Sequence, residues 1–257
     1  MSRIFNNPNL NSTDRIYSEQ VVINSINRES TSTLTNAIFN LSKVYRNVKA
    51  VRFNHFSIPN TFSNVTSSNN SIQYVDNTGT HNITLTVGHY DITDLLAQLK
   101  SKMDTASAPT TYTVAVSSIT NKITFTPSVG TLAFNFATQP ASAKLLGFAQ
   151  TDQVAGASQT GAYIYSLINP DHLLIKMLPL TAKINYNGVG AHLCVPVDTA
   201  WGDLIIWNEG SYWVTEIDLL VPTDIRQLSV QIIDQSNTEV NTNGQDDWMM
   251  VLDFISV

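Results

Sequence analysis

Segment after segment of this chain alternates apolar and polar residues with a period of two, and such segments must pair into sheets that bury one face. Leu228, Val230 and Ile232 alternate with Gln227, Ser229 and Gln231. Trp248, Met250, Leu252 and Phe254 alternate with Met249, Val251, Asp253 and Ile255. Between residues 45 and 58 the same period puts Val51, Phe53 and His55 on one face and Arg52, Asn54 and Phe56 on the other, until Pro59 stops the run. The middle of the chain repeats it in Ile83-Leu85-Val87, Tyr112-Val114-Val116 and Leu132-Phe134-Phe136. Shorter signals lie at 17–27, 34–41, 72–75, 123–126, 173–180, 191–197, 204–207 and 212–220.

Helical spacing is confined to one place. Ile92, Leu95, Leu96, Leu99 and Met103 follow Asp91, which can cap the first turn, with Asp94 three residues on and Pro109 forbidding continuation. A short helical turn is also expected over Ala143–Phe148. Composition agrees with strands. Asn, Ser and Thr make up 77 of the 257 residues, and Asp, Glu, Lys and Arg together only 13%, about half the usual charged fraction. Thr favours strands, Asn and Ser favour turns, and the Glu, Lys and Arg of helical surfaces are scarce.

The same figures exclude several classes. An apolar fraction of 43% is too high for a disordered chain. No apolar run reaches the length of a membrane span, since the best, His172 to Leu180, is broken by Lys176 and Pro179. The first residues contain no apolar stretch of the secretory kind. A lone Cys194 supports neither an internal disulfide nor a thiolate zinc site. A net charge of −6 with scattered Lys and Arg leaves no basic footprint for nucleic acid.

Strand signals place three elements before residue 59 and about five after 170, and eight is the number a jelly roll needs. Neither end alone could close a sandwich core. The expected architecture is therefore all-β: a single eight-stranded jelly roll from 17–59 and 169–257, interrupted by an inserted β-rich domain over 60–168 that carries the one amphipathic helix. Residues 1–16 form an N-terminal arm whose apolar anchors are Ile4 and Phe5. Such an arm is either a frayed terminus or a strap on a neighbouring subunit.

Chemistry-bearing patterns are scarce. There is no Gly-x-Ser-x-Gly elbow, dinucleotide fingerprint or P-loop. The five histidines, His55, His81, His89, His172 and His192, lack ligand-pair spacing, and no metal or cofactor is expected. Asp246 and Asp247 read as turn residues, with a calcium ion as the alternative. Glu209, Glu216 and Asp218 are the nearest candidates for a glycosidase carboxylate pair, and Glu216 and Asp218 share one strand face. The plainer reading makes that face simply the polar side of a strand. Cys194, within Leu193-Cys194-Val195, reads as a small buried residue. Trp201, Trp207, Trp213 and Trp248 suit core or subunit-interface packing, or else a sugar-stacking platform.

Several stretches together carry a resemblance. They are Asn47-Val48-Lys49-Ala50-Val51-Arg52-Phe53-Asn54-His55-Phe56-Ser57-Ile58-Pro59-Asn60-Thr61-Phe62, Gly88-His89-Tyr90-Asp91-Ile92 before the helix, Leu145-Leu146-Gly147-Phe148, Trp207-Asn208-Glu209-Gly210, and Asn243-Gly244-x-x-x-Trp248. The sequence resembles the penton or minor capsid proteins of double-jelly-roll DNA viruses, including virophages and their relatives among large DNA viruses. That resemblance implies a non-enzymatic virion protein, made in the host cell and placed at the capsid vertex. Five copies would plug an icosahedral vertex against the surrounding major capsid protein, with the inserted domain available to a host receptor. The interface candidates are Ile4, Phe5, Trp201, Trp207 and Trp213. Two other classes stay open: a carbohydrate- or receptor-binding spike or fibre head, and a jelly-roll hydrolase.

Overall fold

The alternating segments pair as antiparallel strands throughout the computed structural model, which describes residues 16–257 except 169, 181–183, 187, 209–215, 241 and 243–246. In chain order the strands begin with β1 (Tyr17–Asn24), β2 (Asn36–Pro59), β3 (Ser71–Asp76), β4 (Gly79–Thr84), β5 (Tyr112–Val116), β6 (Ile123–Pro127), β7 (Ala133–Phe134) and β8 (Gln159–Thr160). They continue with β9 (His172–Leu178), β10 (Ile184–Tyr186), β11 (Val189–Ala191), β12 (Leu193–Pro196), β13 (Leu204–Asn208), β14 (Glu216–Ile233) and β15 (Met249–Ser256). Helix α1 (Ile92–Ala106) precedes β5 and helix α2 (Pro140–Leu146) precedes β8. The chain divides into two units, Met1–Phe62 with Pro170–Val257, and Ser63–Asn169.

In the first unit, strands run in the order β1-β15-β2-β14-β9-β12, with β13 also on β2. One buried cluster receives Val21, Phe53, Ile175, Val195, Trp207, Leu228 and Leu252, a side chain from each of these seven strands. A flat sheet could not aim all its strands at one cluster, so the sheet curls around it, as in jelly rolls.

Curling is built into β2. Its 24 residues form one strand where the sequence suggests two, 34–41 and 45–58. Its core residues change parity along the way: Ala37 and Phe39, then Val48, then Val51 and Phe53, then Phe56 and Ile58. Each change falls on an irregularity. Asn47 takes a positive φ of 50°. Ser256 pairs with Val48 and Ile255 with Ala50, leaving Lys49 unmatched; Leu252 pairs with Phe53 and Val251 with His55, leaving Asn54 unmatched. A bulge of this kind flips every later side chain to the opposite face. The expectation that His55 shares a face with Val51 and Phe53 is therefore corrected: Phe56 turns inward and His55 outward.

Two connections are not simple hairpins between neighbouring strands. The first lies between β9 and β12. A separate hairpin intervenes, with Tyr186 opposite Val189, and β12 then pairs back onto β9. The second lies between β13 and β14, which do not pair with each other. Both β13 and β14 run antiparallel along the same edge of β2, Asn208 opposite His55 and Glu216 opposite Arg52.

The second unit holds two small sheets, β4-β3-β7 and β5-β6-β8. Leu95, Leu99 and Met103 of α1 bury against Tyr74, Phe125 and Phe134. Asp91 caps this helix as its sequence suggests, its carboxylate accepting the Asp94 amide at 2.8 Å. The second helix covers Pro140–Leu146 rather than 143–148. Proline suits its first turn, and Gly147 ends it at φ 75°. A Cβ on Gly147 would lie 2.5 Å from the Tyr163 carbonyl oxygen. Left-handed backbone on a non-glycine residue costs about 1–3 kcal/mol before any clash. Gly147→Ala should therefore lower the melting temperature clearly, whereas Gly79→Ala, with nothing within 4 Å of the added carbon, should lower it less.

Candidate assembly surface

Sheet register gathers an apolar patch on the outer face of the first unit. Leu204 lies opposite Pro59 and Ile206 opposite Ser57. Ser57 in turn faces Met249, and His55 faces Val251. Val251 faces Val22 on β1. Val22, Leu204 and Ile206 are all exposed, although they occupy positions where an outward sheet face normally carries polar residues. The one polar pair within the patch is His55 Nδ1 with Asn208 Oδ1 at 2.8 Å. Contiguous exposed apolar surface on a soluble protein marks contact with another macromolecule. No single strand's sequence revealed this patch, because each contributes only one or two residues.

The interface candidates fall differently. Trp207 is 1% exposed and packs in the core beneath the patch, on the face opposite Ile206. Its ring is used inside the chain. Trp201 is 52% exposed and sits where Gly202 and Asp203 bond to the Asn60 backbone, just beyond Pro59. Ile4, Phe5 and Trp213 lie outside the described residues. Trp248, the remaining tryptophan, is fully buried.

Of the catalytic candidates, Glu216 is held in a structural role. Arg52 donates from Nε and Nη2 to Glu216 Oε2, at 3.0 and 2.6 Å. Glu216 is thus the acceptor of an ion pair across β2 and β14, not an unpaired acid facing a cleft. Glu209 and Asp246 lie outside the described residues, and Asp247 accepts the Ser25 hydroxyl at 2.8 Å. Among the described residues, no three His, Cys, Asp or Glu side chains come together as a metal site. Burial, with Asp171 nearby, pushes the Cys194 thiol pKa up, which keeps it protonated and unreactive. Iodoacetamide at neutral pH should label native Cys194 several-fold more slowly than the unfolded chain, as read by mass spectrometry.

The second unit contains a buried polar cluster. Asp76 Oδ1 accepts the Thr78 amide and hydroxyl, each at 2.7 Å, the Gly79 amide at 3.2 Å, and lies 3.1 Å from His81 Nε2. Its Oδ2 accepts the Tyr112 hydroxyl, and Tyr74 bonds Ser107 at 2.7 Å beside it. Burial alone would raise the Asp76 pKa, but hydrogen bonds from Tyr112, Thr78 and Ser107 outweigh it and hold the carboxyl far below its usual range. The Thr78 hydroxyl and Asp76 meet the same imidazole nitrogen, Nε2. A catalytic relay needs a base with one nitrogen toward each partner, so this cluster locks the β3–β4 turn onto β5 instead. Elsewhere in this unit, Lys144, Gly147, Phe148, Gln150, Tyr163 and Ser166 border a shallow pocket of about 490 Å³.

The crystal structure of the mavirus penton protein superposes with a TM-score of 0.55, over 94% of this chain and 100% of the penton chain, at 11% identity. The fold is that of the mavirus penton protein. A chain in the cryo-EM structure of the Sputnik virophage aligns over 94% of this chain and 98% of its own, at 12% identity and a TM-score of 0.46. No protein-family model and no curated protein sequence matches this chain. No helix in the described residues is long and apolar enough to cross a membrane.

Proposed function

We propose that this chain is a structural virion protein: the penton, or vertex capsid protein, of an icosahedral DNA virus. In this reading the first unit is a single eight-stranded jelly roll and residues 60–168 are its inserted outer domain. The end-to-end likeness to the mavirus penton protein carries the proposal. A jelly roll alone hosts many functions, but the shared coverage of 94% of this chain includes most of the insert as well. The apolar outer face supports the same reading, since a capsomer needs broad contact surfaces where an enzyme needs a cleft. The partners are four further copies of the chain and the surrounding major capsid protein.

Negative-stain images of concentrated protein, alone and with the capsid protein of the same virus, test this. The expected result is five-fold rings in solution or density at the vertices of assembled shells. A strict monomer that never joins the shell would overturn it. Contact with a host receptor or glycan is assigned to the second unit, because Tyr163 exposes its ring beside the pocket with Lys144 and Gln150. Glycan-array binding lost in Tyr163→Ala would support that contact, and an array with no signal would remove it.

A further inference from the structure

We infer that the outer apolar face of the first unit is a socket for an apolar knob on the next copy of this chain, so that copies join head to tail. This rests on the vertex reading above and names the surfaces that would close its ring.

The knob lies within β14. Asp218 pairs with Ala50 and Thr223 with Val48, so β2 advances two residues while β14 advances five. A β-bulge ordinarily adds one residue, whereas here residues 219–222 have no partner on β2. Leu220 is 94% exposed and Val221 69%. Neither side chain contributes to the core of its own copy, and a leucine held this far into solvent inside a strand has no local structural purpose.

Charge separates the two surfaces. Beside the knob lie the exposed acids Asp218 and Asp224, the latter accepting the Asn47 amide at 3.0 Å. Three cations, Arg46, Lys49 and Arg226, outnumber them: Tyr45 is opposite Ile225, and Lys49 is the β2 residue the bulge leaves unmatched. All three are exposed. The other described cations of this unit are engaged: Arg28 with the Ser25 carbonyl, Lys43 with Glu19, Arg52 with Glu216, and Lys176 with Asn237. The socket ends in acids. Asp198 and Asp203 are exposed, and the Asn60 backbone amide bonds the Asp203 carbonyl while its side chain bonds the Thr199 carbonyl, placing both next to Pro59.

A knob with an excess of cations and an acid-ended socket on one chain fit a heterologous contact, which builds rings where its rotation closes. An isologous contact would press like charges together instead. No copy fills its own socket. On β2 the knob sits at Val48–Ala50 and the socket at His55–Pro59, at least five residues apart, which is about 17 Å of strand.

Mass photometry and sedimentation of the full chain with Leu220→Asp or Ile206→Asp test the inference. Both side chains are exposed, and Val221→Asp and Leu204→Asp serve as second variants if either fails to fold by circular dichroism. Wild type should form closed rings, and each variant alone should remain monomeric. Mixed in equal amounts, they should form a dimer and grow no further, because one intact knob meets one intact socket. Wild-type rings that both substitutions leave intact would overturn these surfaces while leaving the vertex reading standing. Rings that persist but no longer join the shell would overturn the inference too, making the capsid protein the occupant of the socket. A wild-type chain that is monomeric at every concentration and absent from the shell would overturn both.

Discussion

Trp248→Ala is expected to destabilise the first unit by about 3–5 kcal/mol, the range for deleting a fully buried aromatic side chain. The ring packs edge-on to Phe39 at 5.6 Å and lies 6.1 Å from Phe56. Its Nε1–H donates to the Leu34 carbonyl at 2.6 Å, and its backbone amide donates to Ser25 Oγ at 2.9 Å. The indole therefore ties the chain between β1 and β2 to the start of β15. Trp248→Phe retains most of the packing but leaves the Leu34 carbonyl buried without its donor, which costs about 1–3 kcal/mol. Denaturant melts should rank the two variants in that order below wild type. Equal stability of wild type and the alanine variant would show that this contact does not hold the unit together.

Asp76→Ala is the second large effect, at about 3 kcal/mol, because it strands the buried Tyr112 hydroxyl and three part-buried donors at once. The Thr78 and Gly79 amides, the Thr78 hydroxyl and the Tyr112 hydroxyl all lose their acceptor. Burial and the bond to Asp76 both push the Tyr112 pKa up, so that hydroxyl stays a donor. The Asp76 pKa is lower in the folded chain than in the unfolded one. Its contribution is therefore fully present above the ordinary aspartate value of about 4 and is lost as pH falls below it. Wild type should lose stability between about pH 4 and pH 2 more steeply than Asp76→Asn. Parallel acid melts would show that Asp76 is not responsible if the two slopes matched.

Much of the strand and helix content was legible locally. Leu228, Val230 and Ile232 bury as their alternation predicts, and Asp91, Leu95, Leu99 and Met103 place α1 almost to the residue. The face of Phe56 was not legible. Asn54 looks like any other outward polar residue, and only its mismatch against β15 reveals the bulge that inverts the strand beyond it. The merging of 34–41 and 45–58 into one strand was hidden for the same reason, since the residues between them read as a polar interruption.

The candidate surface was less legible still. A tryptophan is large, yet size alone does not say whether its ring lies above or below a sheet. Trp207 lies below and Ile206 above. Val22, Leu204, Ile206, Met249 and Val251 are unremarkable one strand at a time, and become a patch only when β1, β15, β2 and β13 lie side by side.

Period-two alternation and the scarcity of charge were enough, without any structure, to make this an antiparallel β protein with a single long amphipathic helix. Those properties depend on neighbours a few residues apart. Which side chains share a face, which apolar residues are left in solvent, and where a polar cluster closes depend on register between strands as far apart in sequence as Tyr17 and Ser256. Register is decided by bulges and by packing around one common core, and only the folded chain contains those.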